Sequence, residues 1–182
     1  MNFLELVKTR QSVRKYDASR AVGKEKIEKC IEAARLAPSA CNSQPWTFIV
    51  VDDKKLVKDV AKATFSQVVS FNKFAVDAPV IVLIVIEKPK IITQIGEVMK
   101  NREFPLLDIG IAAEHFCLQA HEQGLGTCMM GWFNEKKIMQ LLGIPAKKRI
   151  GLCISLGYPV DGYYFREKIR KDTDKICKFN SY

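Results

Sequence analysis

The chain has few of the residues that build metal centres, and its cysteines are not arranged to cross-link it. Its only two histidines, His115 and His121, lie six positions apart on a helical pattern, so their side chains point in different directions. None of the six cysteines belongs to a C-x-x-C pair, and all six are widely spaced. These absences argue against a zinc site, an iron–sulfur cluster and a disulfide framework, so we expect no metal.

Long hydrophobic runs are also missing. The longest, residues 78–86, has the length of one buried strand and is too short to cross a membrane. The first residues reach charged Lys8 and Arg10 without the apolar core of a signal peptide, so we expect a cytoplasmic protein without a membrane partner. No repeat, low-complexity tract or linker interrupts the 182 residues, which therefore predict a single domain over residues 1–182.

Charge is unevenly divided, with 29 lysines and arginines against 20 acidic residues and a net charge of +9. The basic residues are scattered and are not interleaved with aromatic side chains, so no nucleic-acid partner is expected. Most of the excess is typical of a lysine-rich solvated surface. A local positive field that holds a small anion is the other interpretation.

Hydrophobic periodicity predicts an α+β domain. A helix is expected to start at Asn2, because Glu5 follows three residues later. The strand predicted over residues 79–86 is apolar on both faces, so it belongs at the centre of a sheet covered by helices. Two more strands are predicted, over residues 46–51 and 150–156. Apolar residues at helical spacing predict further helices over residues 24–36, 54–63, 90–104, 105–123 and from 134 onward.

Two of these segments suggest more than secondary structure. The helix over residues 105–123 is apolar on more than one face, which favours a subunit interface. Residues 124–131 contain three glycines and are interpreted as a loop. In that loop Gly126 allows a sharp turn, and Gly131 lets the backbone approach a ligand closely.

Two polar turns carry the chemistry that the rest of the sequence lacks. In the first, Arg10, Ser12 and Arg14 alternate, so in extended backbone their side chains share a face and can meet at one anion. Two guanidiniums and a hydroxyl suit a phosphate. In the second, residues 37–46, short hydroxyl and amide side chains suit a planar polar ligand. Together the two turns predict a phosphorylated cofactor.

The two turns resemble those of the FMN-dependent nitroreductase family. The likeness rests on Arg10-x-Ser12-x-Arg14-x-Tyr16 followed by Ala37-Pro38-Ser39-x-x-Asn42-Ser43-Gln44-Pro45-Trp46. It continues through residues 107–112, 124–132 and 156–159, in the family's order and over most of the chain. Gln11 departs from the pattern, because many relatives have a second arginine there.

The resemblance implies a nitroreductase-like fold, with a mostly antiparallel sheet flanked by helices and a long buried helix at a dimer interface. It implies a homodimer with FMN at the subunit interface and NAD(P)H as the hydride donor. A nitroaromatic, a quinone or a similar small acceptor would then be reduced by a ping-pong mechanism. Because the chemistry belongs to FMN, no catalytic side chain is expected. The alternatives are flavin fragmentation, reductive dehalogenation, or flavin binding without catalysis.

The resemblance also implies which residues bind FMN. Asn72 reaches the flavin, and the backbone around Met130 and Gly131 lies against the ring. Asp108 is interpreted either as orienting groups near the ring or simply as an acid near the start of a helix. Pro38 and Ser39 approach the ring with their backbone, and Ser39 can also bond the ribityl hydroxyls or the pyrimidine edge. The remaining cofactor-binding candidates surround the phosphate or the ribityl chain and pyrimidine edge, and they are Arg10, Gln11, Ser12, Arg14, Ala40, Asn42, Gln44, Lys168 and Arg170.

Overall fold

A computed structural model of the chain describes residues 2–182, which form four strands and seven α-helices. Two short 3-10 turns, Ala40–Asn42 and Lys73–Asp77, lie between these elements. In chain order the elements are α1 (Phe3–Thr9), α2 (Lys24–Arg35), β1 (Trp46–Val51), α3 (Lys54–Lys62), β2 (Val80–Ile86), α4 (Ile91–Lys100), α5 (Phe104–Glu122), β3 (Gly126–Met130), α6 (Glu135–Leu142), β4 (Arg149–Gly157) and α7 (Thr173–Ile176).

The four strands form one antiparallel sheet in the order β1-β2-β4-β3. β2 lies inside the sheet, and Val80 to Val85 are all buried, because helices cover both of its faces. The α+β class, the antiparallel sheet and the central position of this strand are therefore confirmed.

Alternate residues of β2 belong to two separate cores. Val82 and Ile84 pack with α2 and α5 on one face of the sheet. Ile81 and Leu83 pack with α3 and α6 on the other face. The period of two along the strand thus places the sheet between two helical layers.

The predicted helix boundaries are confirmed where capping residues mark them. Asn2 accepts from the backbone N–H of Glu5, and the Glu5 side chain accepts from the N–H of Asn2, which forms a capping box. Gly143 ends α6 with a left-handed φ of 64°.

The interpretation of residues 124–131 as a loop is wrong, because Gly126–Met130 form β3 and pair with β4. Gly124, with a φ of 75°, makes the turn that had been assigned to Gly126. Gly126 is needed for a different reason: a Cβ at this position would lie 2.6 Å from Cγ2 of Val13. The glycine lets the residue 10–16 segment lie directly against β3.

We expect Gly126→Ala to lower the free energy of unfolding by about 1–3 kcal/mol, because the added methyl group overlaps the buried Val13 side chain. Chemical denaturation followed by circular dichroism measures this change. Gly96→Ala is the control, since its Cβ meets only Phe104, at an ordinary contact distance of 3.6 Å. Equal stability of the two variants would contradict this account of Gly126.

Candidate functional site

A basic cleft lies between the residue 10–16 segment and the C-terminal tail. Its cavity has a volume of about 790 Å³. Every basic residue predicted to hold a phosphate lines this cavity, although the two groups are more than 150 positions apart in the sequence. The lining residues with predicted roles are Arg10, Gln11, Ser12, Arg14, Lys168 and Arg170.

The edge of the sheet sets the shape of the 10–16 segment. Ser12 forms a parallel bridge with Thr127, and the N–H of Val13 donates to the carbonyl of Thr127 at 2.8 Å. The Val13 side chain is buried, whereas Ser12 and Arg14 are not. Because neighbouring residues in extended backbone face opposite ways, Ser12 and Arg14 are directed away from the core.

Protein groups position both arginines of this segment. Nε of Arg10 lies 3.2 Å from Oε1 of Glu114 on α5. The Arg14 guanidinium lies 6.0 Å from the centre of the Phe74 ring, and its backbone N–H donates to the Tyr163 hydroxyl at 3.2 Å. An arginine held by a ring or a carboxylate loses less side-chain freedom when it binds an anion.

Hydrogen bonds between side chains and backbone groups fix the tail to this loop and to α1. The Gln11 side chain donates to the carbonyl of Arg166, and its Oε1 accepts from the N–H of Arg166 at 3.0 Å. Nζ of Lys168 donates to the carbonyl of Val7. Gln11 therefore joins the two halves of the cleft, a role that the sequence did not indicate.

The cations of the cleft repel one another. Burial lowers the pKa of Lys168, and the positive charges of Arg10 and Arg170 lower it further. The pKa of His121 is lowered as well, first by burial and then by Arg10 and Lys168. A bound anion would relieve this repulsion, so the field of the cleft favours a negatively charged ligand.

The second polar segment, residues 38–44, has an unusual backbone. Cys41, Asn42 and Gln44 have φ values of 52°, 50° and 47°, a left-handed conformation that costs a non-glycine residue about 1 kcal/mol or more. The Ser39 hydroxyl accepts from the N–H of Gln44 at 2.9 Å, and the Gln44 amide donates to Oδ1 of Asn42 at 2.9 Å. Both amide side chains are exposed. Such clusters of strained residues are common at ligand-binding sites.

Two helices hold this turn in place. Thr93 of α4 hydrogen-bonds with its hydroxyl to the Ser43 hydroxyl at 2.8 Å and to the carbonyl of Ala40 at 3.4 Å. Asp108 of α5 accepts from the N–H of Ala40 at 3.1 and 3.2 Å through its two oxygens. Sequence reasoning missed Thr93, since a lone threonine in a predicted helix gives no signal.

A third group lies where β3 ends. The Asn72 side chain is buried and donates to the carbonyls of Thr64, at 3.1 Å, and Trp132, at 3.0 Å. The Met130 side chain points into the core, so only its backbone is available to a ligand. A Cβ at Gly131 would meet none of the described atoms within 4 Å. Open space therefore lies beside this backbone, and the close approach of a ligand to Gly131 stays a prediction.

The two polar turns do not meet within one chain. Of the residues that the structure describes, none from the 38–44 turn lines the basic cleft. Across residues 2–182, no group of three or more His, Cys, Asp or Glu side chains is placed to hold a metal. No helix in the described part of the chain is both long and apolar enough to cross a membrane.

An α+β domain with a cationic cleft at its sheet edge and a strained polar turn elsewhere has the features that suit a phosphorylated small molecule. The sequence profile of the "Nitroreductase family" matches residues 7–158. The chain therefore belongs to the nitroreductase family, a family of oxidoreductases.

Individual relatives agree with this assignment. The chain is 34% identical over 173 residues to "Putative NADH dehydrogenase/NAD(P)H nitroreductase" of Archaeoglobus fulgidus. The aligned region covers 90% of this chain and 89% of that protein. A nitroreductase family protein of Clostridium novyi NT has a similar structure, with a TM-score of 0.77, 34% identity and coverage of 88% and 87%. An FMN-dependent nitroreductase of Clostridium difficile R20291 has a TM-score of 0.78, 30% identity and coverage of 99% and 100%.

We expect Asn72→Asp to lower the free energy of unfolding at pH 7 by about 2 kcal/mol or more, because a buried carboxylate would face two carbonyl oxygens. The carboxyl group should have a raised pKa, so the deficit should shrink at acid pH, where the protonated group can donate one bond. Denaturant titrations at pH 5 and pH 7 measure both effects.

Asn134→Asp is the matched control for this substitution. The Asn134 side chain accepts from the N–H of Lys137 at 3.1 Å, and an aspartate at the start of α6 keeps that bond. We expect its stability to lie within about 0.5 kcal/mol of the native protein. A similar loss in both variants would show that the two donated hydrogen bonds of Asn72 are not what stabilises this region.

Proposed function

We propose that the protein is an FMN-dependent oxidoreductase that takes hydride from NAD(P)H and passes it to a small acceptor such as a nitroaromatic or a quinone. The observation that carries this proposal is the basic cleft, in which six lysine and arginine side chains from distant parts of a nitroreductase-family chain line one cavity. The names of the relatives support both NAD(P)H and FMN.

The FMN phosphate, with a charge near −2, fits the basic cleft. Arg10, Ser12 and Arg14 would bind it from the loop, and Lys168 and Arg170 from the tail. Binding a dianion here stabilises the charged form of Lys168, whose pKa is lowered by burial and by its cationic neighbours.

The flavin ring fits the region beyond β3. From Thr127, beside the phosphate loop, the backbone runs along the strand to Gly131, roughly 13 Å at 3.3 Å per residue. Both amide hydrogens of Asn72 are already donated to protein carbonyls, so this side chain can offer only Oδ1 to a ligand. We therefore assign Asn72 to accept a hydrogen bond from a ring N–H.

FMN, when bound, supplies the hydride chemistry, and the side chains bind and orient it. The open space beside Gly131 leaves a place where nicotinamide and acceptor bind in turn. The polar turn around Asn42 and Gln44 offers amide groups to the ribityl chain and the pyrimidine edge.

A homodimer completes the site in this proposal. Because the 38–44 turn does not line the basic cleft of its own chain, the turn that meets the FMN comes from the partner subunit. Three apolar residues of α5 are exposed, Leu106, Leu107 and Ile111. They are separate from the residues of α5 that are buried in the core, and they form a candidate dimer interface.

Turnover is tested by anaerobic reduction of the FMN-loaded protein with NADH or NADPH, followed by addition of nitroaromatic and quinone acceptors. We expect the flavin absorbance to bleach with the nicotinamide and to recover with the acceptor. A flavin that binds but is not reduced by either nicotinamide would contradict the proposed activity.

We expect Arg14→Ala to weaken FMN binding about 10- to 100-fold, because a hydrogen-bonded charge pair with the phosphate is lost. Riboflavin, which has no phosphate, should bind both proteins equally well. Fluorescence titration of the apoprotein with each flavin measures the two affinities. Lys24→Ala, which removes an exposed charge outside the cleft, is the control. Equal losses for FMN and riboflavin would place Arg14 away from the phosphate.

We expect Leu107→Glu to convert the protein to monomers and to weaken FMN binding, since a charge would enter the apolar interface. Analytical ultracentrifugation and FMN titration measure the two effects. Gln140→Glu is the matched control, because it makes the same change in charge on α6, across the sheet from α5. A monomeric native protein that still binds FMN tightly would refute the shared site.

A further inference from the structure

We propose that Asp108 is a positioning residue, which holds the 38–44 turn in the backbone shape that receives the flavin. The proposal rests on the proposed function for the identity of the ligand. It adds a role for a residue that lies beneath the turn and lines no part of the basic cleft.

The position of Asp108 in the core is unusual. It lies on the buried face of α5, and only 4% of its surface is exposed. Its neighbours on that face, such as Ile109 and Ala112, are apolar. Within residues 2–182, the N–H of Ala40 is the only donor within hydrogen-bonding distance of its carboxylate. Burying a carboxylate that accepts from only one donor costs free energy. We therefore attribute the function of Asp108 to that one hydrogen bond.

That bond acts where the turn is most strained. Ala40 directly precedes Cys41 and Asn42, which have left-handed φ values of 52° and 50°. Asp108 holds the N–H of Ala40, and Thr93 holds its carbonyl at 3.4 Å. The peptide groups before and after Ala40 are thereby fixed. The backbone therefore enters the left-handed residues Cys41 and Asn42 from a fixed position.

A second acidic residue connects α5 to the basic cleft. Glu114, six residues after Asp108, pairs with Arg10 at 3.2 Å. Six residues correspond to about 9 Å along a helix. The same helix therefore carries the contact that places the polar turn and the contact that places an arginine of the basic cleft.

Burial raises the pKa of Asp108, and the bond from Ala40 counteracts this shift. Asparagine has nearly the same shape and keeps an oxygen that can accept from Ala40, whereas alanine has no acceptor. A positioning role therefore predicts that asparagine substitutes for Asp108 and that alanine does not.

The test measures FMN affinity of the apoprotein for the native chain, Asp108→Ala, Asp108→Asn and Ile109→Ala. The last variant is the matched control, because Ile109 is the adjacent buried residue of α5 and lies in the core. We expect Asp108→Ala to raise the Kd about tenfold and Asp108→Asn to stay within about threefold of native. Ile109→Ala should lower the melting temperature and leave the Kd unchanged.

Amide hydrogen exchange without FMN supplies a second readout. We expect the amides of residues 41–44 to exchange faster in Asp108→Ala than in the native protein, and at the native rate in Ile109→Ala. If the native protein fails to bind FMN, the proposed function is wrong, and the exchange rates still test Asp108.

Three results would overturn the positioning role. The first is native FMN affinity together with native exchange in Asp108→Ala. The second is an Asp108→Asn variant that binds FMN as weakly as Asp108→Ala. The third is an Ile109→Ala variant whose affinity falls as far as that of Asp108→Ala, which would show a general response to a weakened core.

Discussion

Helix α5 has more apolar surface than its own chain can cover, and both halves of the candidate site depend on its position. One face packs against the sheet and α2, while Leu106, Leu107 and Ile111 remain exposed on another. The same helix also pairs Glu114 with Arg10 and Asp108 with Ala40. In our proposal a partner subunit covers the exposed face and contributes to the site, so cofactor binding and dimer formation stabilise each other.

The second constraint is electrostatic. Six lysine and arginine side chains line the basic cleft, and Glu114 is paired with only one of them, Arg10. The lowered pKa values of Lys168 and His121 show that burial and repulsion already disfavour their charged forms. Gln11 fixes the tail against the loop by two hydrogen bonds to Arg166, so the cations are held together despite their repulsion. The cleft is thus arranged for an anion before one binds, which reduces the reorganisation that binding requires.

Sequence reasoning was strongest where a local pattern determines the outcome. The β-branched run of β2, the capping box at Asn2 and the alternation of Arg10, Ser12 and Arg14 are each encoded in a few adjacent residues. It failed at β3, because five residues that begin with a glycine carry no clear period. Gly126 is explained by Val13, more than a hundred positions earlier, and such a contact leaves no local signal. The contacts of Thr93, Gln11 and Glu114 escaped prediction for the same reason. Whether the predicted residues bind FMN remains a prediction.

In the proposed function, the basic cleft and the polar turn would bind FMN by different physical means. The electrostatic attraction between the cleft and a phosphate is strong and acts over a distance, but it determines little about the orientation of the ligand. The turn offers only weak hydrogen bonds. Its left-handed backbone is fixed through Ala40, however, so the Asn42 and Gln44 amides have defined orientations. In a ping-pong reaction the cofactor must stay while two substrates exchange over its ring. Retention at the distant phosphate would permit this, because in the proposed pose the strongest contacts lie far from the face where hydride moves. The proposed arrangement therefore holds FMN tightly and leaves the open side beside Gly131 free for weakly bound substrates.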